Sequence, residues 1–157
     1  MRNTINQFIN DKNIALIGVS KNKQKFGNAL LKELTKKGYN VYPVHPELKE
    51  VEGSKCYSTI DDLPDSVKNL LLVVQPQVTE EIVSQINPQK IQRVWMHKGA
   101  GSGSASDKAI EDCRKKGIEV VYGFCPMMFV SPSGMHGFHF WMRKTFGKLP
   151  LEFKSGN

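Results

Sequence analysis

Residues 13–38 have the sequence NIALIGVSKNKQKFGNALLKELTKKG, and they contain the clearest indication of the fold class. The segment opens with a short apolar run that ends at Gly18, which is typical of a buried strand. A polar loop follows, and then apolar residues recur at helical spacing, at Phe26, Ala29, Leu30 and Leu34. Lys37 and Gly38 follow where a helix typically ends. The segment therefore predicts a strand, a loop and a helix in succession.

The same alternation continues along the chain. Further apolar strands are predicted at residues 41–44, 69–74, 91–96 and 118–122. Two more helices are indicated by the spacing of Val78, Ile82, Val83 and Ile86, and of Ala109, Ile110 and Cys113. The segment Ser104-Ala105-Ser106-Asp107 is expected to supply the N-cap of the second of these, with Asp107 three residues after Ser104. Pro43 predicts an edge or terminal position for its strand.

Five apolar strands that alternate with amphipathic helices are typical of a parallel sheet covered on both faces. The sequence therefore predicts an α/β protein with a Rossmann-like doubly wound parallel sheet of about five strands. Ligands of such sheets bind beyond the carboxyl ends of the strands. The loops that follow the predicted strands are therefore the places to look for a site.

The composition indicates a soluble globular protein. The chain has 157 residues, of which 24% are charged, and a net charge of +7. Its apolar runs are far shorter than the roughly 20 residues that a membrane helix needs, so we expect no membrane association. Three widely spaced cysteines, Cys56, Cys113 and Cys125, form no disulfide framework, and this favours a cytoplasmic location.

The positive charge lies mainly at the two ends of the chain. Residues 1–50 and residues 114–157 each carry a net charge of +5, whereas residues 51–113 carry −3. An excess of this kind indicates an anionic partner. A basic nucleic-acid-binding protein is one alternative, although no RNP-like motif supports it.

The loop after Gly18 has the composition of a phosphate cradle. Ser20 offers a hydroxyl, the following helix offers its N-terminal N–H groups, and the loop carries the cations Lys21, Lys23 and Lys25. Neither G-x-G-x-x-G nor a Walker A motif is present, since Ser20 and Lys23 stand where glycines would be needed. An ordinary strand-to-helix turn with solvated lysines is the alternative interpretation.

The end of the second strand separates the nucleotide cofactors. NAD enzymes place an acidic residue there to bind the ribose hydroxyls, but this chain has Val44, His45 and Pro46. An NAD-type contact is therefore not supported. The lysines of the first loop keep an NADP-type dinucleotide-binding oxidoreductase as a second alternative.

These motifs together resemble a known family. Ile17-Gly18-Val19-Ser20, Lys25-Phe26-Gly27 and the segment from Gly38 to Pro46 are similar to the motifs of small bacterial coenzyme A-binding proteins. Those proteins are single Rossmann-like domains, similar to the CoA-binding domains of succinyl-CoA synthetase and ADP-forming acyl-CoA synthetases. The resemblance covers about residues 10–125. His45 departs from it, because the family commonly has asparagine there.

The resemblance implies coenzyme A or an acyl-CoA as the ligand. Carried over by position, the phosphates would be held by Gly18, Val19, Ser20, Lys25, Phe26 and Gly27, and Lys21 would add charge. The adenosine would lie beside Val44, His45 and Pro46, and the same crevice would be lined by Gln75 and Pro76. We expect a small-molecule nucleotide ligand and a binding module without a catalytic centre of its own, because the sequence offers neither an acid/base pair nor a nucleophilic triad.

Three other positions carry weaker hypotheses. Cys125 follows the fifth strand near the predicted crevice, and a buried apolar role is favoured over a reactive thiol. His136 and His139 have the spacing of two metal ligands, but no further ligand lies near them in the sequence, so no metal is predicted. His97, at the end of the fourth strand, could contact a ligand, but a surface loop position is favoured.

The predicted domain covers residues 1–130, and residues 131–157 form a basic, aromatic C-terminal extension. Packing of this extension on the domain is the simpler expectation. The alternative is a homodimer contact through aromatic side chains, at Phe138, Trp141 and Phe146.

Overall fold

The computed structural model of the chain describes residues 1–99 and 103–130. Its helices are α1 (Arg2–Asn10), α2 (Phe26–Lys36), α3 (Pro76–Gln85), α4 (Asp107–Lys115) and α5 (Met127–Val130). Its strands are β1 (Asn13–Ile17), β2 (Asn40–Val44), β3 (Glu50–Val51), β4 (Ser54–Lys55), β5 (Asn69–Leu72), β6 (Arg93–Met96) and β7 (Glu119–Tyr122). The predicted extension at 131–157 lies outside the described residues.

Five strands form one parallel sheet in the order β2-β1-β5-β6-β7. The predicted α/β fold with a doubly wound parallel sheet is therefore confirmed. Ile17 at the end of β1 is in register with Val44 of β2 on one side and with Leu72 of β5 on the other. The chain winds from β1 to β2 and then crosses back to β5, so strand order reverses between β1 and β5. A crevice at such a reversal is where these sheets bind ligands.

The sheet is buried on both faces, which explains why its strands are continuously apolar. Leu71 and Trp95 face the layer of α1 and α2, where they pack with Phe8, Leu30 and Leu34. The residues on either side of these two face α3 and α4, and they are Leu70, Leu72, Val94 and Met96. They pack there with Ala109 and Cys113 of α4. Pro43 lies in β2, which is an edge strand of this sheet as predicted.

Three elements were not predicted from the sequence: α1, the hairpin of β3 and β4, and the short helix α5. The sequence of α1 is mostly polar, and its buried residues Ile5 and Phe8 pack in the cluster that contains Trp95. The Phe8 ring makes an edge contact with Trp95, with 5.1 Å between the ring centroids. Helix α1 thus depends on tertiary contacts more than on a strong local pattern, and a two-stranded hairpin or a four-residue helix is too short to be stable alone.

The N-cap of α4 lies in the predicted capping segment, residues 104–107. It is Ser106, whose Oγ accepts a hydrogen bond from the Ala109 N–H. Ser104, the first residue of that segment, is buried, and its Oγ accepts from the Val74 N–H at 3.0 Å. Ser104 therefore ties the loop before α4 to the segment after β5, and this shapes the site described next.

Within the described ranges, no helix has both the length and the apolar character needed to cross a bilayer.

Candidate functional site

The floor of the site is the contact between the ends of β1 and β5. Gly18, at φ +126°, lies so close to Val73 that a Cβ on Gly18 would be 2.3 Å from the Val73 carbonyl oxygen. The Val73 N–H donates to the Ile17 carbonyl at 2.9 Å and holds the two chain segments together. Only glycine permits this approach, so the glycine predicted for a tight turn is required at this position.

The N-terminus of α2 lies directly on this floor. A Cβ on Gly27 would be 2.1 Å from the Gly18 carbonyl oxygen, so the first turn of α2 touches the end of β1. Phe26 and Gly27 carry the first N–H groups of the helix, which have no carbonyl partner within it. No side chain of the described residues caps α2. The positive end of the helix dipole is therefore available to an anion.

The loop between β1 and α2 is shaped by its own side chains. The Ser20 Oγ accepts from the Asn22 N–H at 3.1 Å, and the Asn22 Oδ1 accepts from the Gln24 N–H at 3.0 Å. The Lys25 N–H donates to the Asn22 carbonyl at 3.0 Å. These bonds form successive short turns of the kind that serine and asparagine favour. They leave the Ser20 hydroxyl proton free to donate to a ligand.

A residue that the sequence analysis missed holds this loop to the helix. Asn28 is fully buried, and its side-chain amide binds the backbone of Ser20 twice. Its Oδ1 accepts from the Ser20 N–H at 2.9 Å, and its Nδ2 donates to the Ser20 carbonyl at 2.8 Å. The sequence did contain a signal for it. Asn28 lies three residues before Leu31, so it is a polar residue on the buried face of the helix.

Asn28 also reaches across to the hairpin. Its second Nδ2 hydrogen is donated to the Glu52 carboxylate at 3.1 Å, and the Lys32 ammonium lies 3.3 Å from the same carboxylate. The hydrogen bond from Asn28 lowers the pKa of Glu52, and Lys32 lowers it further. Glu52 is therefore an ionised residue that contacts Asn28 and Lys32 of α2.

A cleft of about 560 Å³ opens between this loop and the ends of β5 and β6. Five predicted site residues line it, namely Gly18, Ser20, Lys25, Phe26 and Gln75. The sequence analysis did not assign the rest of its lining to the site, which comprises Val73, Val74, Val78, His97, Gly99, Gly103 and Ser104. The lining contributed by the described residues contains no carboxylate and no thiol.

One side of the cleft is apolar. Phe26 is 43% exposed and Val78 is 39% exposed, and both line the cleft beside the half-buried Val73 and Val74. Large apolar side chains left this accessible in one cleft mark a place where an apolar group of a ligand can be buried. The cleft therefore combines a cationic end at Lys25 with an apolar strip.

His97 lines the cleft, so the favoured surface position was wrong, and the alternative position beside a ligand site agrees with the structure. It is only 8% exposed, and its ring lies 4.7 Å from the Phe26 ring, centroid to centroid. The fold buries it because its N–H donates to the Leu72 carbonyl while its own carbonyl accepts from the Ser104 N–H. The chain thus turns back over the end of β6 and carries His97 into the wall of the cleft.

The remaining predicted site residues do not line the cleft. Val19 is part of the core, Lys21 is exposed on the loop, and Pro76 is the first residue of α3. At the end of β2, Val44 is buried and Pro46 is exposed. The His45 Nδ1 accepts from the Glu47 N–H at 3.1 Å, which assigns the proton of the neutral ring to Nε2.

None of the three cysteines is among the described residues that line the cleft. Cys125 is buried, as expected, and Cys56 and Cys113 are also buried and free. Burial, with a smaller contribution from Asp112, raises the pKa of Cys113 to about 11. Metal-ligating side chains do not cluster in groups of three or more anywhere in 1–99 or 103–130. His136 and His139, considered above as metal ligands, lie outside the described residues.

Known proteins share this architecture. The ADP-forming acetate–CoA ligase of Methanocaldococcus jannaschii is 25% identical over 142 residues, covering 88% of this chain and 19% of the ligase. The alpha subunit of ADP-forming acetate–CoA ligase II of Pyrococcus furiosus is 26% identical over 145 residues, covering 90% of this chain and 31% of that subunit. The chain thus spans less than a third of the length of either relative.

A solved structure of a conserved hypothetical protein from Pyrococcus furiosus is 35% identical, with a TM-score of 0.69, and covers 75% of this chain and 98% of that one. A family model described as a CoA binding domain matches residues 12–131, which include the loop, the cleft and every strand of the sheet. The resemblance inferred from the sequence is therefore confirmed, and the chain belongs to the CoA binding domain family.

Proposed function

We propose that this protein binds coenzyme A, free or as an acyl thioester, in the cleft between the β1–α2 loop and the end of β5. The observation that carries the proposal is the pairing of an anion cradle with an apolar strip in one cleft. The cradle consists of the α2 N-terminus, the Ser20 hydroxyl and Lys25. The strip consists of Phe26, Val78 and the valines after β5.

Coenzyme A has the matching chemistry. Its pyrophosphate and ribose phosphate suit a cationic helix N-terminus, and its less polar arm suits exposed aromatic and aliphatic side chains. A dinucleotide carries polar nucleosides at both ends and matches the apolar strip less well. The end of β2 also offers His45 where an NAD site would have an acid.

We further propose that the protein is a binding module without catalytic activity of its own. The described lining of the cleft supplies one imidazole, from His97, and one ammonium, from Lys25. That lining supplies neither a carboxylate nor a thiol, and its two hydroxyls have other roles. The Ser104 Oγ accepts from the Val74 N–H, and the Ser20 hydroxyl belongs to the proposed anion cradle. The three cysteines are buried and widely spaced in the sequence, which also supports a reducing, cytoplasmic setting.

A ligand panel tests the proposal. Thermal unfolding is measured with CoA, acetyl-CoA, NAD, NADP and AMP at matched concentrations, because a ligand bound only by the native state raises the unfolding temperature. We expect the largest shifts from CoA and acetyl-CoA. A shift with NADP and none with CoA would replace the proposal by the dinucleotide alternative. A polynucleotide belongs in the same panel, because binding that weakens steeply with salt would favour the nucleic-acid alternative.

A further inference from the structure

The turn of the β3–β4 hairpin contains an unusual residue. Glu52 has φ +49°, and Gly53 beside it has φ +77°, so two successive residues have positive φ. Tight hairpin turns with this backbone favour asparagine, aspartate or glycine at the first position. A glutamate gains nothing there from its backbone conformation, and a strained residue that persists suggests a role for its side chain.

The side chain of Glu52 points toward the loop between β1 and α2. It is only 10% exposed, and one carboxylate oxygen accepts from the Asn28 Nδ2 while the other lies beside Lys32. The Asn28 amide is in turn bonded to both the N–H and the carbonyl of Ser20. A continuous set of hydrogen bonds therefore runs from the hairpin turn through Asn28 to the loop.

We propose that Glu52 and Asn28 are positioning residues that hold the Ser20 segment in its anion-binding shape before the ligand arrives. Glu52 fixes the rotation of the Asn28 amide, since an amide turned by 180° would present its Oδ1 to the carboxylate. The correctly oriented amide then fixes both backbone groups of Ser20. A loop ordered in advance loses less conformational entropy on binding, so the gain is in affinity.

This inference rests on the proposed function, and its test uses opposite expectations for stability and affinity. Glu52→Asn places a favoured residue in the turn but is too short to reach Asn28. We expect the thermal midpoint to stay within about 4 °C of the wild type, because relief of the turn offsets the lost bond. We expect CoA to bind about tenfold more weakly in a calorimetric titration, which is the usual scale for losing one positioned hydrogen bond.

Two matched variants separate hydrogen bonding from charge. Glu52→Gln keeps an oxygen that accepts from Asn28, and we expect its CoA affinity to stay within about twofold of the wild type. Glu50→Gln removes the same charge from the same hairpin at an exposed position, and it should leave CoA affinity unchanged. If Glu52→Gln weakens binding as much as Glu52→Asn does, charge rather than positioning is responsible and the inference is wrong.

Hydrogen exchange at the Ser20 amide tests the inference without any ligand. The exchange rate should rise in Glu52→Asn and stay near the wild-type value in Glu52→Gln, because only the former frees the Asn28 amide. Equal exchange in all variants, or equal CoA affinity in Glu52→Asn and wild type, would overturn the inference. A wild-type protein that binds no CoA would instead overturn the proposed function, and the exchange measurement would still decide whether Glu52 orders the loop.

Discussion

Gly27 lies against the carbonyl oxygen of Gly18, so close that a Cβ on Gly27 would be 2.1 Å from that oxygen. The first turn of α2 therefore rests on the end of β1. The free N–H groups of the helix and the loop that follows the strand form one surface as a result. This is the arrangement on which the proposed anion site depends.

Substitution at Gly27 should separate the loop from the helix. Gly27→Ala forces the backbone apart, and we expect a loss of about 1–3 kcal/mol in the free energy of unfolding with at least about tenfold weaker CoA binding. Gly38→Ala is the control, since Gly38 has φ +81° and no neighbour within 4 Å. It should cost about 1–2 kcal/mol through backbone strain alone and leave CoA affinity unchanged. CoA affinity retained in Gly27→Ala would contradict this account.

Lys25 should contribute charge to the cradle without supporting the fold. It lines the cleft and is exposed, so we expect Lys25→Ala to weaken CoA binding about tenfold at an unchanged unfolding temperature. Lys37→Ala removes the same charge at the far end of α2 and should not affect binding. Titration calorimetry at two salt concentrations measures both variants. Equal losses in the two would show a general charge effect instead of a contact.

We expect His45 to make the same hydrogen bond as the asparagine that is common at this position in the family. Its Nδ1 accepts from the Glu47 N–H two residues later, which is the bond an asparagine Oδ1 makes in the same kind of turn. We expect His45→Asn to keep CoA affinity within about threefold of the wild type and His45→Leu to weaken it further. Equal affinity in the leucine variant and the wild type would remove His45 from the binding surface.

Lys116 should stabilise the end of α3. Its ammonium donates to the carbonyls of Val83, Ser84 and Ile86 at 2.8, 2.7 and 3.0 Å. We expect Lys116→Met to lower the free energy of unfolding by about 1–2 kcal/mol in a urea titration, with CoA binding unchanged. Lys115→Met is the matched control, because among the described residues Lys115 forms an exposed ion pair with Glu111, and its removal should change stability little. A larger loss in the control would contradict the assignment.

Cys113 should be inert in the folded protein. Burial raises the pKa of its thiol to about 11, so at pH 8 the thiol is protonated, and only the thiolate is nucleophilic. Mass spectrometry after iodoacetamide treatment at pH 8 should show Cys113 unmodified in the native protein and modified after unfolding in urea. Rapid modification under native conditions would show that the site opens or that the thiol ionises more readily than its burial implies.

The strands and the main helices could be predicted because their signals are local. A short apolar run such as residues 70–74 is typical of a buried strand, and helices such as α2 carry a stripe of leucines. The β1–α2 loop was also identifiable as a candidate anion site, since glycine, serine and lysines lie together in sequence. Its residues Gly18, Ser20, Lys25 and Phe26 do line the cleft.

The residues that were missed interact with partners far away in sequence. Asn28 is joined to Glu52, and the Phe26 ring packs against the ring of His97, from the end of another strand. Neither partner could be identified from spacing along the chain. The helix α1 was missed for the same reason, because Phe8 is buried in a cluster with Trp95 and other residues far away in sequence.

The sequence by itself determined the alternation of strands and helices and the chemistry of the loop after β1, because both depend on residues within one or two turns of each other. The pairing of the strands is visible only in the tertiary structure, and so are the contact of Gly18 with Val73 and the apolar strip of the cleft. The hydrogen bond that joins Glu52 to Asn28 beside the loop is also visible only there. The physical reason is that a parallel sheet brings its strand ends together across long stretches of chain, and local propensity carries no information about that distance.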